Sequence, residues 1–308
     1  MSDPTAVRVV AERPTPGTPR PYDFPDVARS RLANGLALAI VHLPGRPLVS
    51  ASLVLRNGAA DEPDADGGAT VLAARALTEG TARYDAIELI EASERLGAAL
   101  HAEAGWDAMS IGVDVPASRL EPALELLAEV VLRPTFPESE VGRLRDERLN
   151  DLLQAEADPR RRADEVFAAT IYGGGSPYRR PSGGTRDTVE GLDAGRLRAA
   201  YERGLDPTRA TLVVGGDLTG IDVAAIADRL LGGWGAAYGA GSTGAIVAES
   251  AVRDRFVRLI HRPGSVQTEI RVGHVGLPRR IPDFHALSVM GAILGGLFNS
   301  RLNAKLRE

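Results

Sequence analysis

Strand-like stretches in this 308-residue chain come in close pairs, with helical stretches between the pairs. Leu36 to His42 and Leu48 to Arg56 are apolar and β-branched, and the Pro44-Gly45 turn signal between them predicts a hairpin. Ala99 to His101 and Met109 to Val115 flank Gly105-Trp106 and predict a second one. A doubly wound parallel sheet would need a helix after every strand. The pattern therefore points to an α+β fold, an antiparallel or mixed sheet covered by helices.

Helical periods fill the gaps. Ala69 to Leu77 is a run of helix formers, Ile87 to Leu96 ends at Gly97, and Leu120, Leu124, Leu127 and Val131 keep one face up to Arg133-Pro134. Further helices are expected at 138–156, 160–171 and 193–202, then a strand from Ala210 to Val214 and a helix at 221–231. Residues 1–28, rich in proline and charge, read as a disordered leader, and 29–231 as an N-terminal domain. The glycine-rich stretch within 232–251 reads as a linker. A partial second domain is expected over 252–308, with strands at Phe256 to Ile260 and Gln267 to Val275 and a helix at Phe284 to Leu294. Its strand–strand–helix order repeats that of the first domain, a hint of two related units.

Composition narrows the function. With 44% hydrophobic and 25% charged residues the chain can bury a core, and a net charge of -5 gives no basic field for nucleic acid. It has no cysteine, which removes disulfides, thiolate metal ligands and a thiol nucleophile, and fits a reducing compartment. No secretory signal and no long apolar run is present, so a cytoplasmic protein without membrane contact is expected.

Candidate chemistry is sparse. A zinc site asks for about three converging donors, most economically two of them at i and i+4 of a helix. His42, His101, His261, His274 and His285 offer no such pair; His101 and Glu103 share only a strand face. There is no G-x-S-x-G elbow, Gly173-Gly174-Gly175-Ser176 lacks the lysine of a P-loop, and Gly291 to Gly296 lacks the Rossmann spacing. The carboxylate pairs Asp61/Glu62 and Asp64/Asp66 fall in a polar loop and are expected to be solvated.

An ordered set of local signatures is more telling. Leu32-Ala33-Asn34-Gly35-Leu36, Asn57-Gly58-Ala59-Ala60-Asp61-Glu62, Glu79-Gly80-Thr81 and Arg133-Pro134-Thr135-Phe136-Pro137 come first. Ser176-Pro177-Tyr178, Val214-Gly215-Gly216-Asp217-Leu218, Gly232-Gly233-Trp234, Leu294-Gly295-Gly296 and Asn299-Ser300-Arg301-Leu302 follow. Together they resemble the pitrilysin/insulinase metallopeptidase family, in its mitochondrial-processing-peptidase-like branch, over roughly residues 30–308.

The resemblance implies two homologous α+β domains per chain, the second present here in part, and a clamshell of two such chains around an extended peptide. Active members carry H-x-x-E-H on the first helix, with a further Glu on a later helix as third zinc ligand. Here Thr70, Ala73 and Ala74 stand at the His, Glu and His positions, and Glu147 falls near the third-ligand position. The motif is degenerate, so no catalytic residue and no zinc are expected in this chain.

In paired members the zinc-free chain supplies an Arg and a Tyr that grip the substrate. Arg307 matches that Arg, and the Tyr is expected several residues further on. The expectation is a non-catalytic subunit paired with a homologous zinc-bearing peptidase subunit and acting on peptides. The rival is a catalytically silent scaffold protein of the same fold.

Overall fold

The computed structural model describes residues 15, 17–18, 20–235, 254–255 and 257–307. The expected leader and linker fall largely outside the described residues. The described part of the leader's end is ordered by pairing: strand β1 (Ala28–Arg31) lies antiparallel to β2 (Ala37–His42) at the edge of a six-stranded sheet. The other strands are β3 (Leu48–Leu55), β4 (Ala99–Ala104), β5 (Met109–Pro116) and β6 (Ala210–Gly216), in the order β1-β2-β6-β3-β5-β4.

The sheet is mixed, as the α+β reading allows, but the first expected hairpin does not form. β6 sits between β2 and β3, parallel to one and antiparallel to the other, so that Leu212 faces Leu38 on one side and Leu53 on the other. Pro44-Gly45 still reverses the chain, with Gly45 at φ 78°. A central strand that buries alternate side chains can outcompete a direct hairpin, because it adds a second ladder to both neighbours. Gly216 marks the exit of β6: a Cβ there would lie 2.3 Å from the Leu48 carbonyl oxygen. The second hairpin forms as expected, β4 pairing with β5 across a turn closed by the Gly105 amide on the Ala108 carbonyl (2.8 Å).

Only one sheet face is dry. Val49, Ala51, Leu53 and Leu55 of β3 and Met109, Ile111, Val113 and Val115 of β5 point into the core, while Ser52 and Ser110 join hydroxyls (2.8 Å) on the other side. Helices α1 (Ala69–Ala76) and α3 (Leu120–Leu132) lie on the dry face against β4 and β5. Around them pack α2 (Ala86–Leu96), α4 (Glu138–Ala157), α5 (Pro159–Ile171), the short α6 (Arg186–Glu190), α7 (Ala194–Gly204) and α8 (Val223–Leu231). Buried leucines such as Leu72, Leu77 and Leu127 each contribute about 1.5–3 kcal/mol of apolar transfer.

Caps explain where helices stop. Asp85 and Glu88 form a reciprocal capping box at the start of α2, and Gly97 at φ 64° ends it. Asp158 accepts the Arg160 amide to open α5, whose first residue is Pro159.

After β6 no further strand occurs among the described residues, so the strands expected at 256–260 and 267–275 are not found; Phe256 itself lies outside the description. A strand is stabilised by a ladder partner. Residues 257–277 find arginine contacts to α4 and α5 instead: Arg258 on Thr170, Arg262 on the Glu156 and Ala157 carbonyls, and Arg271 on Asp164 and the Arg160 carbonyl. The expected helix at 284–294 is present as α9 (Phe284–Gly291) running into a π turn at Ala292–Gly296, followed by α10 (Arg301–Arg307).

Candidate functional site around helix α1

Several of the sequence signatures make specific contacts in the fold. Asn34 donates to the Leu231 and Trp234 carbonyls (2.7 and 3.1 Å), joining the first signature to Gly232-Gly233-Trp234. Thr135 donates its amide to the Gly80 carbonyl (3.0 Å), and Ala82 donates to that of Arg133 (2.9 Å). Asp217 accepts the Gly45 amide (2.9 Å), and His42 Nδ1 accepts that of Leu218 (3.1 Å). Phe136, in the Arg133 to Pro137 joint, holds a strained φ of 50° with its ring buried beside Tyr201.

The start of α1 is built around a buried carboxylate. Glu62 accepts the amides of Thr70 (2.5 Å) and Gly68 (2.9 Å), where the helix dipole favours negative charge. Arg180, from the stretch after Ser176-Pro177-Tyr178, reaches Glu62 at 3.3 Å and the Ala59 carbonyl at 2.8 Å. Burial pushes the Glu62 carboxyl above the usual glutamate value; the Thr70 and Gly68 amides, the Thr70 hydroxyl and the Arg180 charge pull the other way without reversing it. The expectation of a solvated Asp61/Glu62 pair is thus wrong for Glu62. Asp61 does stay local, accepting the Gly58 amide (2.9 Å), and Asp64 and Asp66 pair with Arg179 and Arg196.

Thr70, Ala73 and Ala74 sit together on α1, as expected, but inside the core: their exposures are 1%, 0% and 0%. The alanine-rich helix packs closely on α7 and β4, and of its residues only Val71 and Arg75 reach its accessible side. A cleft of about 240 Å³ lies there, bordered by Val71, Leu72, Arg75, Arg148, Asp151 and the Ser182-Gly183 backbone region.

Glu147 does come to α1, though not as a vacant ligand. Its Oε2 accepts from Arg75 (2.8 Å) and its Oε1 from Arg143 (2.6 Å); both side chains of the Arg75–Glu147 pair are a little under half exposed. Arg143 also binds Glu140 and Glu79 (2.8 Å each), so two arginines and three carboxylates link α1 and its C-terminal extension to α4. The hydrogen bond from Arg75, then that from Arg143, holds the Glu147 carboxyl below the usual glutamate range.

These side chains do not fit a zinc site. Thr70 offers a hydroxyl, Ala73 and Ala74 offer methyl groups, and both Glu147 oxygens are engaged by guanidinium groups. Among the described residues no three His, Asp or Glu side chains group as a metal would require. His101 packs across from Gly112, His274 lies against the Val275 carbonyl, and His285 against Phe284. Arg307 stacks over Phe298 at 4.6 Å, a contact within its own segment rather than with α1 or α4.

Sequence reasoning missed Glu62, Arg180 and Arg75. Glu62 and Arg180 did carry a signal, since each lies in or beside a signature. Arg75 carried none, because its partner is 72 positions away.

The model of the insulinase family (peptidase family M16) matches residues 37–180, and the model described as the peptidase M16 inactive domain matches 191–308. Between them they take in most of the chain. An uncharacterized zinc protease of Mycobacterium leprae is 28% identical over 92% of this chain, which spans 63% of that relative's length. Subunit 1 of the bovine mitochondrial cytochrome b-c1 complex is 24% identical over 88% of this chain and 56% of its own. The crystal structure of a peptidase M16 inactive domain from Pseudomonas fluorescens superposes with a TM-score of 0.73, covering 92% of this chain and 68% of that one at 24% identity. Among the described residues no helix is long and apolar enough to cross a membrane.

Proposed function

The chain belongs to the insulinase (peptidase M16) family, and from that premise we propose that it is a non-catalytic subunit that pairs with a zinc-bearing homologue and helps to enclose an extended peptide. One observation carries the reading. The helix turn that would hold zinc in an active member carries Thr70, Ala73 and Ala74, buried in the core, and the remaining carboxylate is held by Arg75 and Arg143. Neither a Lewis acid nor a general base can be assembled from those groups. In this reading zinc belongs to the partner, and the chain itself holds none.

Arg307, exposed on α10, is the cation this subunit offers to the substrate carbonyl as negative charge develops there. A cytoplasmic location, which the cysteine-free sequence fits, is part of the same proposal.

The test is to mix the purified chain with a homologue bearing an intact H-x-x-E-H and follow peptide cleavage. A gain over the homologue alone, lost in Arg307→Ala while the two chains still associate, is the expected result. No gain overturns the proposal, as does stoichiometric zinc in the chain alone. The similarity to a subunit of the cytochrome b-c1 complex favours a second reading, a silent scaffold. Association without any change in cleavage would select it.

A further inference from the structure

We infer that Arg75 does for helices α1 and α4 what a shared metal would do in an active relative: it neutralises Glu147, ties the two helices together and closes the pair to divalent cations. The inference rests on the geometry of this chain alone, not on any partner. Both oxygens of Glu147 are taken, one by Arg75 at 2.8 Å and the other by Arg143 at 2.6 Å.

The two arginines come from different elements. Arg75 is on α1, directly after Ala74, and Arg143 is on α4, one turn before Glu147. Only Arg75 therefore makes a tie between helices through that carboxylate, and Arg143 extends it to Glu79 beyond the end of α1 (2.8 Å). A guanidinium is a planar donor that matches a carboxylate, so a metal ion must break these hydrogen bonds to reach the Glu147 oxygens. It is also tethered, which makes its local concentration far higher than that of any free cation.

The orientation of α1 adds a second ground. Positions 70, 73 and 74 face the core while Arg75 faces α4, so the helix presents its charge, and not its motif positions, to Glu147. Restoring donors at 70 and 74 would leave Glu147 still bound to Arg75. The degenerate site is therefore blocked by a residue outside the motif as well as emptied within it.

Two experiments test this. In a double-mutant cycle of Arg75→Ala and Glu147→Ala followed by thermal denaturation, each single change is expected to lower the midpoint by on the order of 1–3 °C. The double change should cost about as much as Glu147→Ala alone, which also loses the Arg143 contact, and the coupling should shrink in high salt. Additive losses overturn the inference. In the second, Val71→His, which puts a donor on the accessible side of α1 beside Arg75, is compared with Val71→His/Arg75→Ala, using cobalt absorbance and zinc content. At least about tenfold tighter metal uptake is expected once Arg75 is removed, a step of about 1.4 kcal/mol. Equal uptake, including none in both, overturns it. Circular dichroism identifies a variant that has not folded, in which case the cycle alone decides.

Discussion

Glu62 accepts the backbone amide of Thr70 at 2.5 Å, so a carboxylate from the preceding loop closes the first turn of α1 from inside the protein. The same group faces Arg180, whose side chain is also buried. Removing one member of a buried pair strands the other. Glu62→Ala is therefore expected to lower unfolding free energy by about 3 kcal/mol, read by urea denaturation. A loss below about 1 kcal/mol would mean that the pair is not closed in solution.

Acid should act on this protein through its exposed carboxylates. Those of Glu147, Asp151, Asp164 and Asp217 are held below their usual values of 4.5 for Glu and 3.8 for Asp, in each case first by a side-chain hydrogen bond. Such groups stabilise the fold above the usual value and lose that contribution as pH falls through the lowered one. Glu62, raised by burial, works in the opposite sense: what it contributes is full below 4.5 and is lost as pH rises through its folded value. The melting temperature should thus fall from neutral pH toward acid, less steeply in Glu147→Gln, and Glu62→Gln should steepen the fall. A Glu147→Gln profile parallel to the parent's would refute the assignment.

Phe136 is the one non-glycine among the described residues with a positive φ, and its ring is buried. Phe136→Ala should cost about 3–5 kcal/mol through the lost ring. Glycine loses the same ring but occupies φ 50° without strain, so Phe136→Gly should be the milder change by about 1 kcal/mol. The usual order, with glycine worse than alanine, would show that the backbone there is not held as described.

Segment 257–277 lies on α4 and α5 largely through Arg262 and Arg271, with Arg271 bound to Asp164 at 2.5 Å and to Glu269 at 2.9 Å. Val257, Val266 and Val272 point to solvent, so little apolar burial backs these contacts. Arg271→Ala is expected to raise the rate of limited proteolysis within 257–277 several-fold, and raised salt should do the same to the parent chain. Unchanged cleavage in both would assign the docking to something other than these ion pairs.

Local patterns were easy to read and distant pairings were not. The helix formers of Ala69 to Leu77, the stop at Gly97 and the Gly105-Trp106 hairpin are written in neighbouring residues, and each appears within a few positions of where it was expected. The place of β6 between β2 and β3 is not, because its partners Leu38 and Leu53 lie over 150 residues away and nothing near Pro44-Gly45 announces an inserted strand. The site divides the same way. The emptiness of positions 70, 73 and 74 is visible in the letters, whereas the hold of Arg75 on Glu147 and of Arg180 on Glu62 depends on contacts that only folding creates.

The slot for β6 also sets an order of assembly. During synthesis β2 and β3 leave the ribosome without the strand that belongs between them, and roughly 150 further residues must be made before Ala210–Gly216 arrives. Until then two apolar edges stand open side by side, able to pair with each other in the wrong register or with another chain. Folding of this domain is thus gated by a late segment. Any truncation upstream of residue 210 should leave an aggregating product rather than a smaller stable domain.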